Sequence, residues 1–514
     1  MALDAGAGKL LLALTLIIAF LLLIYLFQLN RLISGTPDEV KRLTPTRWTR
    51  KQLLETCQRL ERDPITTRSY ADRIPRKLER RYIVTGGSGL VGGYIVLQLL
   101  ERGQLPESIR IVDFQNPHRN DMVGTGGEAG DGPAAKVDFV RTDIASAAST
   151  DAAFSKPWDT AVARLPLTVF HTAAVIIPSE RSRLDYGFTE AVNVRGTRNV
   201  VDAARRAGAD ILVSTTSGSI SIRPVEFWMS PWKAWKGCWP PHYWQVLDEA
   251  DFFGPPRRHE EYYANYPASK AAAEKIVCGA NGTGGLRTGC IRPANGVYGN
   301  PTDNTVGGPL NRGLLPTWTS HIVQSFVHAA NAAIAHLEFE AVLASSPHAK
   351  SLPQAGRPFT ITDPNPPITY GDLYFLVETL ACTPFRTVTL QPIVMLLLSY
   401  PLEWYSLLLL RFPWLGKKTG LPVLSGDVKH LKPALFSICT HLVASNAAAK
   451  QSVKSGGLGY TGVLTTLEGM TQEVVDWNHE HTNNVAGTKK VYQSSVSLAD
   501  EIHRLAAMAP TIKA

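Results

Sequence analysis

The stretch "YIVTGGSGLVGGYIVLQLLERG", residues 82–103, decides the fold. A short β-branched run meets a cluster of glycines, and apolar residues at helical spacing follow, which predicts a strand, a tight turn and a helix. Within it, "TGGSGLVG" (85–92) carries Gly86, Gly89 and Gly92. Glycine lets the backbone turn tightly and approach a phosphate, and a helix N-terminus offers unpaired N–H groups and a partial positive charge. The stretch therefore predicts a dinucleotide-binding turn.

The chain that follows repeats this alternation of strand and helix. Helical patterns such as "EAVNVRGTRNVVDAARRAG" (190–208) separate four further predicted strands. These strands are 109–114, 136–144, 167–174 and 209–217. Strands that alternate with helices form a parallel sheet covered on both faces, so the sequence predicts an α/β fold with a Rossmann-type doubly wound sheet. A glycine-rich segment, 123–135, predicts a flexible insertion.

Asp113 ends the second predicted strand. An acidic side chain there accepts hydrogen bonds from the adenosine ribose hydroxyls and repels a 2′-phosphate, which favours NAD over NADP. Arg110 and Arg119 lie nearby in the sequence, so NADP stays an alternative. Asp143 and Ile144 follow the third strand, and we expect them to line the adenine site.

The N-terminus predicts a membrane anchor. Residues 10–27, "LLLALTLIIAFLLLIYLF", form an uncharged apolar run of 18 residues, which with Gln28 and Leu29 is long enough to cross a bilayer as a helix. A cleavable signal peptide is the alternative, but its apolar region is usually shorter and ends at small residues. Basic residues are concentrated after the run, so the positive-inside rule places the rest of the chain in the cytosol. They are Arg31, Lys41, Arg42, Arg47, Arg50 and Lys51.

Composition narrows the function classes. The chain has 514 residues, of which 45% are apolar, and a net charge of +8. No basic cluster alternates with aromatic residues, which argues against nucleic-acid binding. The six cysteines are scattered and none are paired at metal-ligand spacing. We therefore expect neither a metal site nor a disulfide framework, and a reducing compartment is favoured.

The pentapeptide "YPASK" (266–270) places Tyr266 four residues before Lys270. On a helix this spacing puts both side chains on one face. A free tyrosine has a pKa of about 10, and we expect the nearby ammonium to lower that pKa so that Tyr266 can accept the proton of a hydroxyl group. Alone, the pair is weak support for catalysis, because the same spacing occurs by chance in many helices.

Residues 80–370 resemble the extended short-chain dehydrogenase/reductase superfamily. Within it they are most similar to the 3β-hydroxysteroid dehydrogenase family, which includes decarboxylating sterol-4α-carboxylate 3-dehydrogenases. The motifs that carry the resemblance are "TGGSGLVG" (85–92), "VFHTAA" (169–174), "NVRGTRNVVDAA" (193–204), "LVSTTSGSI" (212–220), "YPASK" (266–270), "IRPANGVYG" (291–299) and "FVHAANAAIAHL" (326–337).

The resemblance implies NAD-dependent oxidation of the 3β-hydroxyl of a sterol or related terpenoid, with Tyr266 as the base. It also implies that Lys270 holds the nicotinamide ribose and that a serine or threonine at the preceding strand end steadies the substrate oxygen. Ser217 fits that position best, with Thr216 as the alternative. His171 is assigned to the cofactor side of the site.

Other motif residues are left open. Asn193 and Thr197 match a helix motif of the fold, and the sequence does not separate local packing from a role at the site. His328 and His336 lie on a helix-like stretch and are predicted to be structural.

A substrate with a 4α-carboxylate would become a β-keto acid on oxidation. Carbon dioxide could then leave, because the new carbonyl accepts the electrons as an enolate. A nucleotide-sugar epimerase or dehydratase is one alternative, and a non-catalytic cofactor-binding scaffold at the membrane is another. The apolar segments argue against the first alternative, and the intact set of Ser217, Tyr266 and Lys270 argues against the second.

Two more stretches predict membrane contact. Residues 227–244, "FWMSPWKAWKGCWPPHYW", hold five tryptophans, which suit a lipid-facing lid over a hydrophobic substrate, with a small core under a long loop as the alternative. Residues 391–416 are apolar but carry Pro401 and Glu403. We expect these two residues to split the stretch into a hairpin or two helices lying in the membrane interface, or else into a buried pair of core helices.

These patterns divide the chain into four regions. They are the membrane anchor (1–30), a juxtamembrane linker (31–78), an NAD(P)-binding Rossmann domain (79–300), and a substrate-binding, membrane-associated C-terminal region (301–514). The linker contains helical pieces such as 50–62, and the C-terminal region contains an amphipathic helix at 467–481. We expect the protein in the endoplasmic reticulum membrane, while its oligomeric state is not predicted.

Overall fold

A seven-stranded parallel sheet lies at the centre of the chain. The computed structural model describes residues 2–124, 131–346 and 352–482. The strands are β1 (Arg81–Thr85), β2 (Ile109–Asp113), β3 (Asp138–Arg141), β4 (Leu167–His171), β5 (Ala209–Thr215), β6 (Arg287–Pro293) and β7 (Pro358–Ile361). Their order is β7-β6-β5-β4-β1-β2-β3. The predicted Rossmann-type sheet and its first five strands are confirmed; residues 125–130 of the predicted insertion lie outside the described residues.

Both faces of the sheet are covered by helices. Alternate side chains of a strand point to opposite faces, so Tyr82 and Val84 of β1 join one apolar core and Ile83 joins the other. The helices on the first face are Leu90–Glu101 and Ala329–Ala344, and those on the second are Ala147–Ser155, Gly196–Arg206 and Asn265–Gly279.

The strand order reverses between β1 and β4. In an open parallel sheet a ligand crevice forms beyond the carboxyl ends of the strands at such a point. The glycine loop follows β1 directly, and the Thr172 N–H, just beyond β4, donates to the Thr85 carbonyl at 2.9 Å. The glycine loop therefore lies at the crevice that the topology creates.

A second sheet has four short strands. Their order is Ile368–Thr369, Val323–Gln324, His441–Ala444 and Trp244–Leu247. The predicted regions 79–300 and 301–514 therefore exchange strands, because β7 comes from the second region and Trp244–Leu247 from the first. Two further strand pairs join Val297–Tyr298 to Val327–His328 and Leu314–Thr317 to Arg386–Thr389.

Helices outside the central layers are mostly near the two ends of the chain. The longer ones are Ala2–Ile33, Arg50–Arg62, Tyr370–Leu380, Pro392–Arg411 and Thr466–Thr482. The shorter ones include Asp38–Leu43, Pro413–Thr419, Gly426–His430 and Pro433–Ile438.

Residues 31–78, predicted as a linker, are packed against the C-terminal part of the chain. The predicted helix forms at Arg50–Arg62, and its apolar stripe enters a core shared with helix Thr466–Thr482. The stripe consists of Leu53, Cys57 and Leu60, whose spacing gives a helix one apolar face. The helix predicted at 467–481 is confirmed, and much of it is buried.

Among the described residues, two helices are long and apolar enough to cross a membrane by length and composition. We call Ala2–Ile33 the anchor helix and Pro392–Arg411 the apolar helix. The apolar helix runs through Pro401 without a break, so the prediction that Pro401 splits this stretch is wrong. Packing of one side of the helix on the protein holds it together, which outweighs the backbone hydrogen bond that proline removes.

Replacing Leu53 tests whether the predicted linker is a structural part of the fold. Leu53 is fully buried, whereas its neighbour Leu54 is 40% exposed. Leu53→Ala leaves a cavity and is expected to lower the free energy of unfolding by about 2–5 kcal/mol. Leu54→Ala is the matched control, with an expected change of about 0.5 kcal/mol or less. Denaturant unfolding of the full-length protein in detergent measures both, and equal small effects would mean that this helix lies outside the cooperative core.

Candidate active site

The glycine loop brings the helix Leu90–Glu101, the phosphate-loop helix, close to the strand ends. Gly86 has a φ of +75°, which favours glycine, and a Cβ there would lie 2.6 Å from the Ala173 nitrogen. A Cβ on Gly92 would overlap the Gly86 carbonyl oxygen. Gly89 stands directly before the helix as its N-cap residue. The close approach keeps the helix N-terminus at the crevice, where it suits a pyrophosphate.

Asp113 ends β2 and is joined to the glycine loop. Its carboxylate accepts hydrogen bonds from the Ser88 N–H at 3.0 Å and the Gln115 N–H at 3.2 Å. Burial raises the pKa of Asp113, while these backbone hydrogen bonds act in the opposite direction. The carboxylate therefore lies beside the loop, where it fits the adenosine ribose hydroxyls.

The two arginines near this aspartate have other partners. Arg110 is buried and pairs with Asp138 at 2.8 Å. Arg119 is buried and donates to the carbonyls of Gly89 at 3.0 Å and Leu90 at 2.8 Å. Because both guanidinium groups are engaged inside the protein, neither is placed to receive a 2′-phosphate. Arg141, the exposed neighbour of Asp113 on β3, leaves NADP as an alternative.

The other two predicted cofactor residues are placed differently. Asp143 is exposed after β3, and its carboxylate accepts the Ala145 N–H at 2.9 Å. His171, at the end of β4, is buried with Nδ1 at 2.7 Å from Thr85 Oγ1 and Nε2 at 3.0 Å from Thr197 Oγ1. Burial lowers the pKa of His171 to about 3, so the ring is neutral. Both ring nitrogens are used within the protein, which leaves its backbone for any contact with the cofactor.

The dyad helix, Asn265–Gly279, starts one residue before "YPASK". Tyr266 and Lys270 are both buried and one helical turn apart. The Lys270 ammonium donates to the Thr215 carbonyl at 2.9 Å, and Thr215 is the last residue of β5. The helix and the end of β5 are thus joined at the predicted site.

The hydroxyls of Ser217 and Thr216 have different surroundings. Ser217 Oγ lies 2.8 Å from Ser219 Oγ, and the Ser217 side chain is near enough to the Tyr266 phenol to lower its pKa. The Thr216 hydroxyl instead donates to the buried carboxylate of Glu274 at 3.0 Å. This supports Ser217 over Thr216 as the third member of the site.

A buried ion pair fixes the dyad helix to the sheet. Arg292 of β6 donates through Nε to Glu274 at 2.8 Å and pairs through Nη1 with Asp251 at 2.6 Å. Sequence reasoning missed these residues. The available signal was weak, because Glu274 stands four residues after Lys270 and so continues the face that carries the dyad.

Asn193 joins the same helix to the loop after β4. It lies in the π-helical turn Ala191–Arg195, a feature that is frequent at functional sites. Its amide accepts the Val175 N–H at 2.9 Å and donates to Ser269 Oγ at 3.0 Å. Ser269 in turn donates to the Tyr266 carbonyl at 2.7 Å. Asn193 therefore positions the backbone that carries Tyr266.

Burial governs the proton affinities of the dyad. It raises the pKa of Tyr266 to about 12, although the hydrogen bond with Ser217 lowers it. It lowers the pKa of Lys270 to about 8, while the neighbouring Cys290 and Glu274 act in the opposite direction. The prediction that the lysine brings the pKa of Tyr266 below its usual value is therefore wrong for the protein alone. Desolvation of the phenol is the largest cause, and the ammonium is directed at the Thr215 carbonyl.

Comparisons with known proteins show what the sequence and the fold are similar to. The sequence model of the 3-beta hydroxysteroid dehydrogenase/isomerase family matches residues 83–223 and 255–389, more than half of the chain. The "3beta-hydroxysteroid-dehydrogenase/decarboxylase isoform 1" of Arabidopsis thaliana is 26% identical over 424 residues, which are 80% of this chain and 82% of that relative. Isoform 2 is 26% identical over 303 residues, which are 56% of this chain and 45% of that relative.

A solved structure shows the likeness of fold. UDP-glucose-4-epimerase from Stenotrophomonas maltophila, with bound NAD and formylated UDP-arabinopyranose, matches 79% of this chain and 100% of its own with a TM-score of 0.50. The identity is 14%, so the likeness concerns the architecture and not the substrate.

The two pKa values predict how activity depends on pH. A dyad that accepts a hydroxyl proton would need Tyr266 ionised and Lys270 protonated. Up to about pH 8 the lysine keeps its charge while the phenolate fraction rises, so log kcat/KM for hydroxyl oxidation is expected to rise with unit slope. Between about 8 and about 12, loss of the ammonium offsets the gain in phenolate and the profile is level.

The matched variant is Lys270→Met, measured over the same pH range. It is expected to be slower at every pH, and its rate should keep rising above about pH 8 because the offsetting titration is gone. A wild-type profile that continues to rise above that pH, parallel to the variant, would contradict the assignment.

Proposed function

Because the chain belongs to the 3-beta hydroxysteroid dehydrogenase/isomerase family, we propose that it oxidises the 3β-hydroxyl of a membrane-borne sterol or related terpenoid with NAD. Membership makes the chain an NAD(P)-dependent oxidoreductase that acts on CH–OH groups. The observation that carries the finer proposal is the meeting of Ser217, Tyr266 and Lys270 at the carboxyl end of β5. This is the edge of the sheet where the glycine loop and Asp113 also lie.

The proposed roles follow from the contacts. Tyr266 removes the hydroxyl proton of the substrate, and Ser217 donates a hydrogen bond to the same oxygen. Lys270, held by the Thr215 carbonyl, supplies positive charge on the Tyr266 face of the helix and donors for the nicotinamide ribose. The chemistry that NAD supplies when bound is acceptance of a hydride from the substrate carbon.

We propose a 4α-carboxysterol as the preferred substrate class. Oxidation at C3 would place a carbonyl β to the carboxylate, and the carbon–carbon bond can then break with its electrons passing into an enolate. The step needs no further protein nucleophile. The name of the Arabidopsis relative, a dehydrogenase/decarboxylase, supports this choice.

The cellular location is proposed from the anchor helix and the basic residues that follow it. Residues 10–23 of the anchor helix are mostly apolar side chains exposed by more than half, and basic residues follow them in the sequence. We propose that this helix crosses the endoplasmic reticulum membrane with the catalytic part in the cytosol.

A substrate panel tests the proposed reaction. Full-length protein in detergent is mixed with NAD and a 4α-carboxysterol, a plain 3β-hydroxysteroid or a nucleotide sugar. Absorbance of the reduced nicotinamide and released carbon dioxide are followed together. We expect both signals with the carboxysterol, and a loss of kcat of about 10²–10⁴-fold in Tyr266→Phe.

Tyr262→Phe is the matched control, since it removes a phenol hydroxyl from the chain just before the dyad helix and is expected to keep activity. Reduction without carbon dioxide would restrict the function to a plain hydroxysteroid or terpenoid dehydrogenase. Turnover of nucleotide sugars alone would overturn the sterol proposal.

Coenzyme preference tests the role of Asp113. Asp113→Asn removes the charge that would repel a 2′-phosphate, so the ratio of kcat/KM for NADP to that for NAD is expected to rise by about 10-fold or more, roughly 1.4 kcal/mol. Asp143→Asn should weaken binding of both coenzymes without changing that ratio, because Asp143 is proposed at the adenine. An unchanged ratio in Asp113→Asn would remove this residue from the ribose site.

A further inference from the structure

The apolar helix has two unlike sides. Its buried side packs on the protein and includes Ile393, Leu396, Ser399 and Glu403. The side exposed to the surroundings consists of Val394, Leu397, Leu398, Pro401 and Trp404. Residues three or four apart share one helix face, so the exposed side is a continuous apolar stripe. No other described part of the chain covers it.

The tryptophan stretch, 227–244, adds to the same surface. Trp232 and Trp235 lie on a short helix, and their side chains are 67% and 68% exposed. Trp228 Nε1 donates to the hydroxyl of Tyr400 on the apolar helix at 2.8 Å. Trp239, in contrast, is half-buried and stacks on Tyr243. The stretch is therefore packed on the protein at Trp239, whereas Trp232 and Trp235 are exposed beside the apolar helix.

The end of the anchor helix meets both elements. The Tyr25 hydroxyl donates to the Met229 carbonyl at 2.9 Å, and the Asn30 amide donates to Gln391 at 2.7 Å. Leu29, Leu32 and Ile33 share one apolar cluster with Phe227 of the tryptophan stretch and Ile393 and Leu396 of the apolar helix. The C-terminal end of the anchor helix is therefore packed against both the tryptophan stretch and the start of the apolar helix.

The tryptophan stretch and the segment 404–426 carry only basic charges, and Glu226 and Asp427 stand just outside them. The Lys236 ammonium lies 5.3 Å from the Trp232 ring centre, and that of Lys418 lies 5.8 Å from the Trp414 ring centre. Tryptophan rings favour the headgroup level of a bilayer, and adjacent lysines reach anionic lipid headgroups.

We propose that the apolar helix and the tryptophan stretch form a second membrane contact, the docking face, which lies in the interface of a bilayer with anionic headgroups beside the anchor helix. The apolar helix does not cross the bilayer. One of its sides is packed on the protein, and Glu403 accepts two hydrogen bonds from Arg181, at 2.8 and 2.6 Å. The docking face extends the proposed membrane location but is independent of the proposed chemistry.

The docking face is linked to the active site through Arg181. The preceding residue, Glu180, accepts the N–H of Asn265 at its carbonyl at 2.7 Å, and Asn265 is the first residue of the dyad helix. One ion pair thus connects the lipid-facing helix to the segment that holds Tyr266. A face docked in this way would present the dyad to a substrate dissolved in the same bilayer.

Two exposed cysteines allow a direct test. Cys238 lies in the tryptophan stretch and Cys382 lies elsewhere, and the other four cysteines are buried or half-buried. Cys382→Ser and Cys238→Ser leave one exposed thiol each for a fluorescent label. The full-length variants are reconstituted in phosphatidylcholine vesicles with or without phosphatidylserine, and quenching by doxyl lipid is compared with quenching by aqueous iodide.

We expect the label on Cys238 to be quenched by doxyl lipid and shielded from iodide, and both effects should be stronger with phosphatidylserine. The label on Cys382 should be quenched by iodide and not by doxyl lipid. Trp232→Ser with Trp235→Ser should remove most of the lipid quenching, while Leu105→Ser, which replaces an exposed leucine in the turn before β2, should not. Iodide quenching of the Cys238 label without lipid quenching would overturn the docking face, and indifference to phosphatidylserine would overturn its headgroup preference. Turnover of detergent-dispersed substrate by the same preparations reports separately on the proposed reaction.

Discussion

The ion pair between Glu274 and Arg292 joins the dyad helix to the centre of the sheet, and the geometry of the site depends on it. Both side chains are almost fully buried, so removal of Arg292 would leave a buried carboxylate without its ion-pair partner at a cost of about 3–5 kcal/mol. The same carboxylate accepts the hydroxyl of Thr216. That contact turns Thr216 into the core and leaves the next residue, Ser217, beside the phenol of Tyr266. The ion pair thus decides which hydroxyl of the "STTS" sequence is available for chemistry.

Burial disfavours the charged forms of Tyr266 and Lys270, the two forms that proton transfer at this site would need. Enclosing the phenol raises the pKa of Tyr266, and enclosing the ammonium lowers that of Lys270. The charge of Glu274 raises the pKa of Lys270 and so opposes part of the effect of burial. A cation in a site of low polarity stabilises the phenolate more strongly than it would in water. Because Tyr266 and Lys270 are buried in the same site, the phenolate is most stable when the ammonium is charged, and the ammonium is most stable when the phenolate is present.

Much of the fold was predictable because local patterns and topology agree. The β-branched run at 82–85, the glycines that follow and the alternation of five strands with helices are enough for a parallel sheet, and that sheet requires a crevice where the strand order reverses. The apolar helix was mispredicted because Pro401 is a local signal, whereas the packing that keeps the helix continuous comes from Leu396 and Glu403, which meet distant parts of the chain. The exchange of β7 and Trp244–Leu247 between the two predicted regions is likewise a long-range pairing that no local pattern marks.

The site shows the same division between local and long-range information. Tyr266, Lys270 and the glycines belong to motifs with fixed spacing, so their proximity could be expected. Glu274, Arg292 and Asn193 act through partners 18 to 76 residues away, and their roles emerged only with the structure. The link from Glu403 through Arg181 to the start of the dyad helix spans 222 residues in sequence. A carboxylate on a helix as apolar as this one would be costly without a partner. Arg181 supplies that partner, and the same ion pair connects the apolar helix to the segment that leads to the dyad helix.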